Sequence, residues 1–478
     1  MSIQAAKEEL LSMTPFQRDI HVANDASEDI LSHFYKAFVK STWYSSVPMK
    51  LKRTSDGEET VYSVNNSFHY LEYSYMRFQS PPVRVKPELK GRVRIAWPHN
   101  LGTNIVTQAA FKEDDDTYQT WDSVWADIYF QFYQSSGAGK RENHNIYIGN
   151  TTCLEDWSEF LPSYPINVDQ PWFYSMDSAL AFPIFYKNSQ TRAEHRYTFR
   201  LRITDLLRVQ YLHKDGKWKN STKALHKYVD ISPTATIKVP ELWGRYAYIS
   251  EKEIGWHKCD TNRVFFTRDI EICDTPNPNK YKTTAEIPLH CINPCLAFFW
   301  VAENRDATDN HNYSNYTTCS DDLYSGWDPI RTTTLKYGTT TRLDNMPSDH
   351  FSAAECRKHF PSAPSERGYH GYSFAADSTN FHGDVGVVLA NLNAKLHCTI
   401  NNNNIFTMTS YEDDDKDEEE DDIADSMVEH ESKSRSEIKL DLPIEEVSPS
   451  FITRARLLVV RKFTIAGSAD GEWKFEIQ

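Results

Sequence analysis

Segments that alternate apolar and polar residues dominate the chain from about residue 43 onwards. Phe68 to Tyr75 alternates with a period of two, and Pro81-Pro82 ends that run. Successive side chains of a strand point to opposite faces, so this pattern predicts a half-buried β-strand. Just upstream, Arg53 to Gly57 predicts a hairpin turn in which Asp56-Gly57 supplies the positive φ.

Further runs rich in β-branched and aromatic residues predict strands in both halves of the chain. They lie at Ala179–Tyr186, His195–Thr204, Thr234–Val239, Leu242–Ile249, from Val264 onwards, and at Cys295–Val301, Gly371–Ala375, Val385–Ile400 and Arg456–Ile465. A charged stretch at 250–258 interrupts the pattern. Two β-rich halves of roughly 220 residues each fit two sandwiches better than one barrel. Arg92–Asn100 and Leu296–Asn304 look alike, although this echo alone does not establish a duplication.

One segment follows a helical rather than a strand period. Tyr118, Trp121, Trp125, Ile128 and Phe132 recur at spacings of three and four, which predicts a helix with one aromatic face. Such a face packs on a sheet far more often than it binds a cofactor. A second, short helix is predicted after Ser27, with an apolar stripe from Ile30 to Phe38.

Composition and charge narrow the classes of function. The net charge is −15, and the run from Glu412 to Asp422 holds ten acids and one Lys. No cluster of Lys and Arg is present to hold a phosphate backbone, which argues against direct nucleic-acid binding. The acidic run predicts a solvated surface loop, because it lacks the central Gly and the ligand spacing of a calcium-binding loop.

Cysteine usage and the N-terminal residues predict a protein made and kept in the cytosol. Met1 to Leu11 has no basic-then-apolar signal pattern, and no apolar run reaches the length of a membrane span. The cysteines are scattered, which favours reduced and mostly buried thiols. They are Cys153, Cys259, Cys273, Cys291, Cys295, Cys319, Cys356 and Cys398.

Known catalytic and metal-binding motifs fail their spacing tests in this chain. Ser136 to Lys140 lacks the first Gly and the final Ser or Thr of a phosphate loop. The two closest histidines, His350 and His359, are nine residues apart, and Cys291 and Cys295 have no second Cys pair nearby. We therefore predict no catalytic, cofactor-binding or metal-binding residues, and a structural or binding role is the default.

Several ordered segments carry a resemblance to a known family. They are Val93–Gly102, the helical segment around Trp121, Asp177–Tyr186, Tyr197–Arg202, Val239–His257, Asn293–Val301, Tyr369–Ala375 and Arg456–Phe463. In this order and spacing they resemble the major capsid proteins of nucleocytoplasmic large DNA viruses. Val239–His257 is the most specific segment, with a Trp, two tyrosines two apart and a charged helical turn. The chain departs from the family at Val388–Asn393, where relatives carry an Asn-Phe-Ser-Arg-Ile-Asp strand.

The resemblance implies an all-β fold of two tandem eight-stranded jelly rolls with a few short helices in loops. We expect an N-terminal arm at 1–32, a first jelly roll at 33–255, and a second at 256–478 with an acidic loop insertion around 411–437. The implied role is a non-enzymatic shell subunit that needs no cofactor and forms pseudo-hexagonal homotrimers in an icosahedral capsid.

The implied partners are copies of the chain itself, neighbouring capsomers, and minor capsid and penton proteins. Contact with an inner viral membrane would be indirect. The protein would reside in the virion after assembly in host cytoplasm. Two alternatives stay open: a scaffold or minor capsid protein of the same virus class, and a carbohydrate-binding β-sandwich protein, since exposed Trp and Tyr side chains can stack on sugars.

Overall fold

Strands from each half of the chain form a pair of β-sheets in the computed structural model. The structure describes residues 44–113, 116–133, 138–176, 180–185, 193–214, 216–221, 225–232, 234–259, 262–274, 284–375, 378, 386–400, 451–467 and 473–477. The predicted N-terminal arm, the helix after Ser27 and the acidic loop around 411–437 lie outside these residues.

The first half contains fifteen described strands. They are β1 Tyr44–Lys50, β2 Lys52–Asp56, β3 Thr60–Ser63, β4 Tyr70–Ser80, β5 Val83–Arg84, β6 Val93–Ala96, β7 Val106–Glu113, β8 Asp116–Asp122, β9 Phe160–Leu161, β10 Tyr164–Asp169, β11 Phe182–Pro183, β12 Ala193–Phe199, β13 Arg208–Leu212, β14 Trp218–Asn220 and β15 Glu241–Ile249. One main sheet has the order β1-β15-β4-β10, and β11 also pairs with β4. The other has the order β2-β3-β12-β7-β8. Two small sheets, β14-β13-β6 and β5-β9, complete this half.

The second half contains nine described strands in two sheets. They are β16 Asn262–Asp274, β17 Thr284–Leu289, β18 Cys295–Asn304, β19 Ile330–Tyr337, β20 Thr340–Pro347, β21 Tyr369–Ser373, β22 Ala394–Ile400, β23 Phe451–Gly467 and β24 Trp473–Ile477. Their orders are β16-β23-β18-β21, with β24 pairing β23, and β17-β22-β19-β20. Side chains from both sheets, among them Trp300, Leu335, Leu396 and Leu457, fill one apolar core. This half is therefore a sandwich.

The two halves repeat one strand order. In the first half β1 pairs with β15, and β15 pairs with the long central strand β4. In the second half β16 pairs with β23, and β23 pairs with the long central strand β18, and in each half a hairpin (β7-β8 or β19-β20) ends the second sheet. The predicted pair of jelly rolls is thereby confirmed. The sequence echo pointed to the wrong strands, however. The counterpart of β18 is β4, whereas Arg92–Asn100 contains β6, which belongs to the small sheet β14-β13-β6.

Short helices connect the strands. They are α1 Leu101–Asn104, α2 Ser123–Phe132, α3 Ala138–Ile148, α4 Thr152–Glu155, α5 Phe173–Met176, α6 Glu251–Cys259, α7 Arg305–Asp309 and α8 Glu355–His359. A π-helical turn at His350–Ala354 runs directly into α8.

The predicted aromatic helix is shorter than its sequence period indicated. Tyr118 and Trp121 lie on β8, and α2 begins only at Ser123, because the Asp122 side chain accepts a hydrogen bond from the Trp125 backbone N–H. That carboxylate satisfies a donor at the helix start and fixes the boundary there. Trp125, Ile128 and Phe132 are buried as predicted.

Four other segments differ from their predictions. Thr234–Val239 forms only an isolated bridge from Thr236 to Arg202, and in Val385–Ile400 the strand begins at Ala394. The predicted flexible loop at Ser135–Arg141 instead leads into α3, which begins at Ala138. The Arg53–Gly57 segment does form a hairpin, β2-β3, but Gly57 does not adopt a positive φ.

Candidate functional site

The sheet that contains β18 is buried on both faces. Phe298 and Trp300 point into the core of the second sandwich, whereas Ala297, Phe299 and Val301 belong to the core that includes the first half. A strand that is buried on both faces needs apolar side chains at every position, and this explains why every residue of Cys295–Ala302 is apolar. This sheet is therefore a wall shared by two cores.

Helix α2 of the first half covers the outer face of this wall. The ring centroid of Phe299 lies 4.9 Å from that of Phe132 and 5.8 Å from that of Trp125. Gly371 on β21 permits the approach, since a Cβ there would lie 2.9 Å from the Phe132 ring. The contact between the two halves thus depends on aromatic packing over a glycine.

A buried arginine joins the two halves beside α2. Arg456 on β23 is fully buried, and its guanidinium contacts Asp122 at 2.5 Å and Asp274 at 2.7 Å. Burial lowers the pKa of Arg456, but the two carboxylates outweigh it and raise the pKa above its ordinary value. The pair fixes the end of β8 against the second sandwich.

A second polar cluster surrounds Asp127 of α2. The Asp127 carboxylate accepts hydrogen bonds from Thr103 at 2.8 Å, Asn100 at 3.1 Å and, from the second half, Tyr316 at 3.1 Å. Burial raises the pKa of Asp127 to about 6, although hydrogen bonds oppose that shift. Ser314 bonds Asn104 nearby and adds another link between the halves.

His99 forms a third link. Its Nδ1 lies 2.9 Å from Glu155 of the first half, and its Nε2 lies 2.9 Å from Glu366 of the second. Burial lowers the pKa of His99, but the charges of and hydrogen bonds to Glu366 and Glu155 outweigh that effect and raise the pKa well above its ordinary value. The imidazole is therefore a charged bridge at neutral pH.

The corresponding outer face of the first sandwich is partly covered, because helix α3 packs on β10 and the aromatic side chains of this face are half-buried. Tyr73 and Tyr75 on β4 and Trp243 on β15 form a row of stacked rings there, with centroids 6.1 Å and 6.3 Å apart. Beside this row lies a cleft of about 430 Å³, lined by Tyr73, Tyr75, Asn143, His144, Tyr147, Asn167 and Asp169. The cleft combines flat aromatic surfaces with one carboxylate.

Other large apolar side chains are exposed on the described surface. On the β1 and β15 edge, Tyr44 is 68% exposed and Tyr248 is 47% exposed. On the segment before β19, Tyr324 is 75% exposed and Trp327 is 52% exposed.

The groups tested for chemistry do not converge on a reaction centre within the described residues. His350 and His359 both lie 3.9 Å from Glu355 and pair with it, not with each other. Cys291 and Cys295 are buried thiols. No group of three or more metal-ligating side chains occurs in the part of the chain that the structure describes, and no described helix is long and apolar enough to span a membrane.

Most of the residues that join the two halves, here called the seam, could not be identified from the sequence. His99 and Glu366 are 267 positions apart, and Asp122 and Arg456 are 334 apart. Of these contacts, only the aromatic face of α2 could be predicted from a periodic pattern in the sequence. Its prediction as a packing surface is correct.

Comparison with known proteins gives consistent matches. Residues 267–427 match the family model described as the large eukaryotic DNA virus major capsid protein. The major capsid protein of Simulium iridescent virus is 26% identical over 374 residues, covering 72% of this chain and 75% of that protein. That of Wiseana iridescent virus is 27% identical over 382 residues, covering 72% and 74%.

Solved structures show the same fold at low identity. The Faustovirus major capsid protein aligns with a TM-score of 0.64 and 7% identity over 94% of each chain. A chain of the PBCV-1 virus capsid aligns with a TM-score of 0.63 and 10% identity, covering 93% of this chain and 99% of that one.

Proposed function

We propose that the chain is a member of the family of major capsid proteins of large eukaryotic DNA viruses and that it is the repeating subunit of an icosahedral capsid shell. In this role three copies form a pseudo-hexagonal capsomer. Because a trimer of a duplicated chain presents six similar sandwiches around its axis, it can occupy a lattice position with six neighbours.

The observation that carries the proposal is the repeated strand order of the two sandwiches. A single sandwich would give a triangular trimer, whereas two of equal topology approximate a hexagon.

The same proposal covers activity and further partners. The work of a shell subunit is mechanical, so we propose that the chain has no catalytic activity. Minor capsid and penton proteins are its expected contacts at the vertices and below the shell, and an inner membrane would be reached only through them. The interval between β15, which ends at Ile249, and β16, which begins at Asn262, supports a boundary between jelly rolls near residue 255.

Native mass spectrometry and electron microscopy of the purified full chain test the proposal. We expect a trimer at micromolar concentration and particles with a three-fold axis and a hexagonal outline. A protein that stays monomeric under these conditions would contradict it. Measurement of copy number in virions separates a shell subunit, which dominates the particle protein, from a scaffold or minor component.

A further inference from the structure

Two buried thiols lie at the crossover between the two sheets of the second sandwich. Cys291 follows β17, which belongs to one sheet, and Cys295 begins β18, which belongs to the other. The three residues between them form a turn that reaches the surface, where Ile292 is 75% exposed. Both cysteine side chains are fully buried and belong to the apolar core of this sandwich. The pair therefore lies where the chain passes from one sheet to the other.

One neighbouring segment holds the backbone of both cysteines. The Cys295 N–H donates to the Val387 carbonyl oxygen at 2.9 Å, and the Val387 N–H donates to the Cys295 carbonyl oxygen at 2.9 Å. The Cys291 carbonyl oxygen accepts a hydrogen bond from the Ala390 N–H at 3.0 Å. Gly386 permits this approach, because a Cβ there would lie 2.1 Å from the Cys295 carbonyl oxygen. These contacts restrict how far the two cysteines can separate.

The two thiols contact each other. A hydrogen bond joins the side chains of Cys291 and Cys295, and it lowers the pKa of the Cys291 thiol below its ordinary value. Burial raises the pKa of the Cys295 thiol well above its ordinary value. Because the thiolate and not the thiol attacks an oxidant, Cys291 is the nucleophile of the pair, and Cys295 is the thiol that reacts second.

Two other buried cysteines of the described chain have different neighbours. Cys398 Sγ lies 4.0 Å from the Thr333 hydroxyl oxygen, and Cys356 Sγ lies 2.9 Å from the Phe351 carbonyl oxygen. Burial raises the pKa of each of these thiols to about 12, and no other described thiol contributes to either shift. They are therefore internal references for a reaction that requires two thiols in contact.

We propose that Cys291 and Cys295 form a disulfide when the chain meets a peroxide, and that this bond links the two sheets of the second sandwich at their crossover. Local opening of the turn admits the oxidant. The Cys291 thiolate attacks one peroxide oxygen, and the O–O bond breaks to give a sulfenic acid and hydroxide, which takes up a proton to become water. Cys295 Sγ then attacks the sulfenic sulfur, loses its proton and expels a second water. Two thiols and one hydrogen peroxide thus give one disulfide and two waters.

The disulfide adds a redox response to the proposed shell role. A shell subunit is made in reducing cytosol, where the pair stays as two thiols, and it leaves the cell in a particle that meets oxidising surroundings. The bond therefore forms after assembly and makes the second sandwich harder to open. This timing rests on the proposed function, whereas the chemistry of the pair belongs to one chain and does not require a trimer.

Peptide mapping of the purified full chain tests the disulfide. Trypsin cleaves after Lys282 and Arg305, so both cysteines lie in the single peptide 283–305. The reduced and folded chain is incubated with hydrogen peroxide at neutral pH, quenched, denatured and alkylated with iodoacetamide before digestion. We expect an unalkylated form of this peptide, lighter by two hydrogen atoms than the dithiol, to appear at least about tenfold faster than Cys356 or Cys398 loses alkylation. Dithiothreitol should return the peptide to its doubly alkylated form.

Two variants identify the order in which the sulfurs react. In Cys295→Ala the Cys291 sulfenic acid has no second thiol to attack it, so dimedone should label Cys291. In Cys291→Ser the Cys295 thiol should oxidise as slowly as Cys356, because its nucleophilic partner is gone. Circular dichroism shows that each variant is folded, and the mapping of the wild type does not depend on either.

Three results would overturn the inference. One is a folded wild type that yields no lighter peptide, and another is oxidation of Cys356 and Cys398 at the same rate as the pair. The third is a cross-linked peptide that joins Cys291 to Cys273, whose Sγ lies 4.0 Å from the His290 carbonyl oxygen. A monomeric wild type that forms the disulfide would instead refute the proposed function and leave the inference standing.

Discussion

At the scale of single residues, His99 makes the seam between the halves sensitive to pH. Glu155, Glu366 and the more distant Asp127 and Tyr324 are the ionisable groups that act on or near it. Because its pKa is raised on folding, the native state holds a proton that the unfolded chain releases. The stabilisation is therefore complete below about pH 6.5 and is lost as pH rises towards the folded pKa.

We expect the free energy of unfolding, measured in denaturant at fixed protein concentration, to fall from pH 6.5 upwards at up to about 1.4 kcal/mol per pH unit from this group. His99→Gln should remove that dependence. Asp127 ionises near pH 6 and adds little change above it. Equal pH slopes for the wild type and the variant above pH 6.5 would contradict the assignment.

Arg456 gives a second prediction at this scale. Arg456→Met should destabilise the protein by about 3 kcal/mol, because it leaves the carboxylates of Asp122 and Asp274 facing each other in a partly buried site. Arg196→Met is the control, since the Arg196 side chain is 34% exposed beside Glu59 and Glu194 and should change stability by less than about 1 kcal/mol. If both substitutions lower the free energy of unfolding in denaturant by the same amount, the buried ion pairs of Arg456 stabilise the protein no more than the exposed ion pairs of Arg196.

At the scale of elements, the packing of α2 depends on the absence of a side chain at Gly371. Gly371→Ala should cost about 1–3 kcal/mol, because its Cβ would lie 2.9 Å from Phe132 and 3.1 Å from Phe299. Gly255→Ala on α6 is the matched change with no neighbour within 4 Å, and alanine favours a helix there. Thermal unfolding of both variants measures the difference, and a neutral Gly371→Ala would mean that α2 can shift without loss.

The elements also show what local sequence can and cannot reveal. Strands with one solvated face, such as β4, were predicted because alternation is a local property. The predicted start of α2 was wrong because Tyr118 and Trp121, which lie on β8, are buried and are spaced as two residues on one face of a helix would be. The position of strand β18 was predicted correctly. The reason for its unbroken apolar run could not be predicted, because the elements that cover its two faces come from distant parts of the chain.

At the scale of the whole molecule, the fold class and the proposed shell role could be predicted from the sequence, whereas the polar contacts that join the two halves could not. Aromatic content, strand spacing and the order of short motifs are readable along the chain. The pairing of Asp122 with Arg456, or of His99 with Glu366, depends on how two sandwiches dock, and no local pattern records that geometry. The sequence echo failed for the same reason, because topology rather than residue similarity relates β4 to β18.

The shared wall has a consequence for biosynthesis. Its inner strand β23 spans Phe451–Gly467, so a ribosome must translate past residue 451 before the wall between the cores can close. Until then the aromatic face of α2 is exposed to solvent, and neighbouring nascent chains on one polysome can aggregate through this face. A chain interrupted before residue 451 should therefore accumulate in aggregates or on chaperones rather than as a folded half.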